Sequence, residues 1–395
     1  MRSDVAEVTD GIGLAEPVAA ARAAGIVGLD TEFMRERTYR ARLCLVQVAA
    51  GERTWLIDPL ADLDLKPLAE LIAEPEVEVV VHAGRQDLEI FYERFGVIPE
   101  RVFDVQLAAG FVGLGSSLPY GRLVEEVTGV SLTKGDSYTE WCRRPLTESQ
   151  KRYAADDVIY LVEVATRLKE RLEQMGRSEW AQEEMALLES PAEYRVDPRD
   201  AWRKIGGRGS LSPRAAAVLR EIAAWREETA ARRDLPRGWV LKDPTLIEIA
   251  RRGPRSHADL SSIRGMATKE VDRSGREIID AVARGRGAEP INGPRRPPAA
   301  AQARARVLVG IADAVVRKRC DAAGIAPGLV ATRAELEAVL LEVAAGTIEE
   351  QDHRLLSGWR RDLAGNAVLA LARGEIAVRA IDSPPYIEEI PLDPS

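Results

Sequence analysis

Gly28-Leu29-Asp30-Thr31-Glu32-Phe33 closes an apolar, β-branched run that begins at Ala24. Such a run predicts a strand, and Asp30 and Glu32, two apart on it, then point to the same face. Two carboxylates on one face of a central strand are costly unless a cation lies between them. A hard divalent ion answers that need, because Mg²⁺ and Mn²⁺ prefer oxygen ligands and are usually held by few carboxylates. Taken alone, the pair reads more simply as a solvent-facing strand end.

Two further segments change the balance. Val81-His82-Ala83-Gly84-Arg85-Gln86-Asp87 follows a second apolar run, Val77 to His82, and places Asp87 on the first turn of a predicted helix. Carboxylates are favoured there in any case, so Asp87 is weak evidence by itself. Tyr153-Ala154-Ala155-Asp156-Asp157-Val158 lies on a strongly periodic helix, where Tyr153 and Asp157, four apart, share a face. Asp156 faces elsewhere and reads as a solvated charge. His82 reads as a satisfied core histidine.

Around these segments the pattern extends. Residues 41–49 and 53–58 are two more strands, joined by a hairpin turn at Ala50-Gly51-Glu52. A helix over 65–73 precedes the apolar strand at 77–82, and helices are expected at 85–95, 104–113, 118–128 and 147–175. A three-strand meander followed by alternating helix and strand is a mixed sheet with helices on its faces, an α/β domain. Residues 189–200 read as a connector. Residues 211–286 read as all helix, 286–298 as a Pro- and Arg-rich linker, 300–380 as further helices, and 381–395 as an extended or disordered tail. The expected units are 1–188, 205–286 and 300–380.

A chain of 395 residues is too long for a single core. Its net charge of -8 is unevenly spread. Residues 1–200 carry 23 Lys and Arg against 37 Asp and Glu, residues 201–300 carry 21 against 12, and the remainder 11 against 14. The basic middle suits polyanion binding. Cys44, Cys142 and Cys320 lack metal-ligand spacing and read as buried free thiols. Met1-Arg2-Ser3-Asp4 opens no apolar signal region, and the longest uncharged stretch, Val105 to Gly121, is too polar to span a bilayer. A cytoplasmic protein without membrane partners is expected.

The order of the three segments resembles the DEDD superfamily of 3′–5′ exonucleases, whose sheet is of the ribonuclease H type. Tyr153, four before Asp157, matches the DEDDy branch; the sister branch has a histidine five before the aspartate, where this chain has Arg152. Arg37-Thr38-Tyr39, Leu45-Val46-Gln47, Phe103-Asp104-Val105-Gln106-Leu107-Ala108 and Arg144-Pro145-Leu146-Thr147 narrow the likeness to the ribonuclease D family, over roughly residues 15–175. Thr139-Glu140-Trp141 departs from an expected Ser-Asp-Trp, outside the metal set. Trp225-Arg226-Glu227, Asp234-Leu235-Pro236-Arg237, Val240-Leu241 and Ile263-Arg264-Gly265-Met266 resemble an HRDC domain, a helical nucleic-acid-binding bundle. Residues 300–380 are a candidate second copy.

The resemblance implies a metal-dependent exoribonuclease releasing nucleoside 5′-monophosphates from RNA 3′ ends, with tRNA precursors and other structured RNAs as substrates. It implies two divalent ions, Mg²⁺ or Mn²⁺. Asp30 would bridge both, Glu32 and Asp157 would complete one site, Asp87 would support the other, and Tyr153 would orient the attacking water. Phe33 and Met34 are candidates to stack on terminal bases, and Arg37 and Gln47 to touch substrate. In the basic bundle Arg232, Arg233, Arg237, Arg251, Arg252, Arg255 and Arg264 are candidate RNA contacts. Competing readings are the same chemistry on DNA and a non-catalytic RNA-binding protein.

Overall fold

The computed structural model describes residues 4–132, 139–292 and 297–392. The first unit runs β1 (Asp4–Val8), α1 (Gly11–Ala24), β2 (Ile26–Met34), β3 (Arg42–Ala50), β4 (Arg53–Ile57), α2 (Lys66–Ile72), β5 (Glu78–Val81), α3 (Arg85–Phe95), β6 (Val102–Asp104), α4 (Val105–Phe111), α5 (Tyr120–Thr128), α6 (Glu148–Ile159), α7 (Leu161–Gln174) and α8 (Ser178–Met185). Six strands form one sheet in the order β1-β4-β3-β2-β5-β6. The β2-β3-β4 meander is antiparallel, and β1, β5 and β6 add in parallel at the flanks. The expected mixed sheet is therefore present. The β1–α1 unit and the short β6 go beyond the sequence reading, which began at Ala24 and started a helix at 104.

Alternation along the strands divides the core. Leu29 and Val46 pack with Leu14, Leu68 and Phe91 on one side. Ala49 and Val80 pack with Phe111, Val158 and Leu161 on the other. Gly28 lets α7 come close, since a Cβ there would lie 3.2 Å from Leu161. The single helix expected over 147–175 is broken at Tyr160. Its first half packs on β3 and β4 and its second half on β2 and β5, so the break keeps both on a twisted sheet. Thr147 and Gln150 form a capping box that fixes where α6 starts.

A connector of short 3₁₀ turns leads to a second unit, α9 (Pro213–Arg233), α10 (Arg237–Val240), α11 (Asp243–Arg252), α12 (His257–Ser261) and α13 (Thr268–Gly287). Leu219, Ile222, Leu246, Ile249, Ile278 and Val282 make its own core. The last region holds α14 (Ala299–Ala323), α15 (Pro327–Val330), α16 (Arg333–Ala345), α17 (Gly358–Arg360) and α18 (Asn366–Arg373). Its core is continuous with that of α4–α8, through Phe111, Leu329 and Trp359 among others. Buried Arg360 pairs with buried Glu184 on α8. Helix ends at Arg373 and not near 380, and the described part of the tail is extended: β7 (Ile376–Ala380) and β8 (Ile387–Pro391) form an antiparallel hairpin. Glu389 on β8 anchors it by pairing with Lys318 and Arg319 of α14.

Candidate active site

The β2 strand carries Asp30 and Glu32 toward α6, which supplies Asp157. Oxygen atoms of these three carboxylates all lie within 4.8 Å of one another. The register of β2 against β3 shifts between Glu32 and Phe33, a local irregularity of the kind that re-aims side chains beside active sites. Asp87, buried on the first turn of α3, approaches from the next element and accepts a hydrogen bond from the Thr31 hydroxyl. Tyr153 shares the inner face of α6 and hydrogen-bonds Asp157.

This crowding moves every acidic group the same way. Burial, then the charges of Asp87, Asp157 and Glu32, hold the Asp30 carboxyl well above the ordinary range. Burial with the Asp157 and Asp87 charges raises Glu32 to about 8. Burial raises Asp87 to about 6 against the Thr31 hydrogen bond, and burial with the Asp156 charge raises Asp157 to about 7. Burial and the same carboxylates raise the Tyr153 phenol. An all-oxygen set that resists ionising together fits a hard divalent cation, whose charge would offset the repulsion.

The sequence reading missed several groups that build this site. Trp141 hydrogen-bonds Glu32, and its ring centroid lies 6.0 Å from that of Tyr153. The string containing Trp141 was legible, and a buried indole N–H needs an acceptor. Arg144 secures that segment by donating to Asp58 and to the Cys44 carbonyl. Cys44 and Cys142 are joined as a disulfide with Cα atoms 4.9 Å apart, which corrects the reading of three free thiols; Cys320 alone is free and buried. Their separation of 98 residues hid the pairing, because only the fold brings β3 beside the segment before α6. Asp156 points away from the three-carboxylate cluster, yet it is only half-exposed and its charge reaches Asp157. His82 is held by the Leu118 carbonyl at 3.0 Å, a satisfied histidine.

The candidate substrate contacts separate. Met34 and exposed Arg37 line one cleft of about 340 Å³ with Thr38, Arg42, Glu140 and Arg143. Phe33 is half-buried against the core below Arg35. Gln47 is completely buried on β3, which takes it out of reach of a substrate lying on the surface. Arg237 is engaged with buried Glu227 and lies over the Tyr39 ring, so it is not a free cation. Arg264 is exposed.

A mixed sheet presenting clustered carboxylates beside a tyrosine is the arrangement of a nuclease, and a family description reading 3′–5′ exonuclease matches residues 5–173. A second, HRDC domain, matches residues 215–282. Ribonuclease D of Granulibacter bethesdensis is 40% identical over 357 residues, covering 89% of this chain and 88% of that protein. Ribonuclease D of Gluconacetobacter diazotrophicus is 41% identical over 361 residues, covering 89% and 88%. The crystal structure of Escherichia coli RNase D superposes with a TM-score of 0.80 at 32% identity, over 95% of this chain and 99% of that one. The chain belongs to the ribonuclease D family, and its activity is that of a 3′–5′ exoribonuclease. Among the described residues no helix is long and apolar enough to cross a membrane.

Proposed function

We propose that the chain trims structured RNAs, tRNA precursors among them, from the 3′ end with two divalent cations, Mg²⁺ or Mn²⁺, held by Asp30, Glu32, Asp87 and Asp157. The cluster of three carboxylates within 4.8 Å, with Asp87 beside it, carries the reading. Such ions lower the pKa of a bound water and stabilise the leaving 3′ oxygen. Asp30 would be the ligand shared between the ions: it lies in the three-carboxylate cluster with Glu32 and Asp157, and the charge of Asp87 also reaches it. Tyr153 orients the attacking water. Its phenol is pushed above an already high ordinary value, so it serves by position and not by giving up its proton. Trp141 and Thr31 hold Glu32 and Asp87 in place.

The cleft lined by Met34 and Arg37 would take the 3′-terminal nucleotides, since Met34 lies two residues beyond Glu32 on β2. The HRDC bundle anchors the RNA body, and the substrate named for the Escherichia coli relative, structured RNA, supports that division. Residues 300–380 read as a second, diverged copy. In both regions the long first helix ends in a left-handed residue, Asp234 or Gly324, and a one-turn helix follows. Digestion of 3′-labelled against 5′-labelled RNA, with and without Mg²⁺ or Mn²⁺, tests the reading. Immediate release of the 3′ label as a nucleoside 5′-monophosphate, only with the ion, is expected. A matched DNA oligomer degraded equally fast would replace RNA by nucleic acid in general.

A further inference from the structure

Gln47 has no role in the arrangement described so far, yet its position is unusual. It is fully buried on β3, and neither its amide nitrogen nor its amide oxygen has a hydrogen-bond partner among the described residues. Buried side-chain amides are almost always partnered, and leaving one unpaired is destabilising. An orphan of this kind beside a catalytic centre points to a bond made in another state of the site.

The sheet register says which bond. Gln47 lies directly opposite Asp30 on β2 and opposite Leu56 on β4. Directly opposed residues of antiparallel strands share a face and sit about 5 Å apart at Cβ. Along β3 its neighbours on that face are Leu45 and Ala49, and α6 covers this region with Ala154, Ala155 and Val158. Of the two residues opposed to it across the sheet and its two same-face neighbours on β3, only Asp30 is polar.

We propose that Gln47 is a positioning residue for Asp30: its amide N–H donates to the Asp30 carboxylate when that carboxylate holds a divalent ion. The inference rests on the metal-site reading above. Asp30 has two oxygens, and a ligand that serves cations with one needs the other fixed; partners that orient metal ligands in this way typically change affinity by about 10- to 100-fold. In the metal-free protein the amide waits unpaired, at a cost in stability. Gln47 therefore trades stability for a correctly aimed ligand.

The trade gives the test. Gln47→Met keeps the unbranched shape and removes the amide. In the full-length protein with EDTA, its thermal midpoint should equal or exceed that of the wild type. Calorimetric Mn²⁺ affinity should fall by about 10-fold or more, and the Mn²⁺ concentration for half-maximal RNA hydrolysis should rise in step, with activity recovering at saturating Mn²⁺. Unchanged Mn²⁺ affinity would overturn the proposal. So would a clearly lower midpoint in EDTA, since that would show the amide already bonded without metal. Failure of the wild-type protein to bind Mn²⁺ would instead overturn the metal-site reading itself, and the role of Gln47 with it.

Discussion

Tyr39, five residues beyond Met34, donates its phenolic proton to Glu227 of the HRDC bundle at 2.5 Å. Arg237 donates to the same carboxylate at 2.6 Å and lies over the Tyr39 ring at 4.7 Å. Asp234 accepts the backbone N–H groups of Tyr39 and Arg40, each at 3.1 Å. The loop that carries Arg37 is thus pinned to the basic bundle. Burial pushes the Glu227 carboxyl up, but the bonds from Arg237 and Tyr39 outweigh it and hold it low, so it is an anion at neutral pH.

Loss of this junction should be felt at the site. Tyr39→Phe keeps the ring and removes one bond to a charged acceptor, a loss of about 1.5–3 kcal/mol. Hydrogen exchange at the amides of Tyr39 and Arg40 should accelerate and KM for RNA should rise, with kcat little changed. Glu227→Ala should be worse, because it removes the shared acceptor of Tyr39 and Arg237; Arg237 is half-exposed and Arg226 keeps Asp243, so the loss should stay below the roughly 3–5 kcal/mol of a broken, fully buried pair. Unchanged exchange in Tyr39→Phe would show that the loop is held by its own backbone.

Asp30→Asn should abolish turnover and the Mn²⁺-induced rise in thermal midpoint, while the metal-free midpoint stays level or rises. The reason is electrostatic: Asp30 feels Asp87, Asp157 and Glu32 together, and removing one charge relieves the rest. Retention of more than about a tenth of wild-type rate would sink the assignment of Asp30 as the shared ligand.

Tyr153→Phe isolates the phenol. It should lower kcat by about 100-fold, the scale of one catalytic hydrogen bond, with RNA affinity nearly unchanged. Because the Tyr153 hydroxyl helps hold Asp157 ionised, the variant should also need higher pH for full Mn²⁺ binding. A wild-type rate would mean the ring only fills space beside Trp141.

The pH dependence of the metal-free protein has a definite sign. Folding raises Asp87 to about 6, Asp157 to about 7 and Glu32 to about 8, from unfolded values near 4. The folded state then binds more protons than the unfolded state across that window, so its stability falls as pH rises from about 4 to about 8. Divalent ions need the ionised forms, so binding should release protons and tighten with pH over the same range. Thermal midpoints in EDTA and calorimetry in buffers of different ionisation heat measure both. A metal-free midpoint that rises toward pH 8 would contradict the crowded, raised carboxylates.

Chain order made the carboxylates legible: Asp30 and Glu32 by strand alternation, Tyr153 and Asp157 by helical spacing. What stayed hidden depends on distant pairings. Cys44 and Cys142 meet only because β3 lies beside the segment before α6. Gln47 resembled a surface contact in a motif string, but β3 is covered on both faces, and period-2 reasoning cannot distinguish a buried polar position from an exposed one when both neighbours are apolar. The tail carries several prolines, so its hairpin was invisible until Glu389 met Lys318 and Arg319. Charge counting located the basic bundle but not its free cations. Arg232, Arg233, Arg237, Arg251 and Arg252 are tied to Glu277, Glu270, Glu227 and Glu248.

That last difference sharpens the RNA-anchoring expectation. Arg264, Arg273 and Arg276 are exposed and make no ion pair among the described residues. Arg273 and Arg276 lie on α13, and Arg264 lies just before it. A cation free of protein partners gives its full charge to a phosphate, and each phosphate contact to a single strand contributes about 0.7 to the slope of log affinity against log salt. Replacing all three by Gln should therefore flatten that slope by about 2 and raise KM for tRNA-sized RNA, with kcat intact. Short oligomers that reach only the cleft of Met34 and Arg37 should be hydrolysed as before. Replacing Arg251 and Arg252, already paired with Glu248, should change the slope much less. Equal effects of the two sets, or equal losses on short and long RNA, would show that this face of the bundle does not anchor RNA.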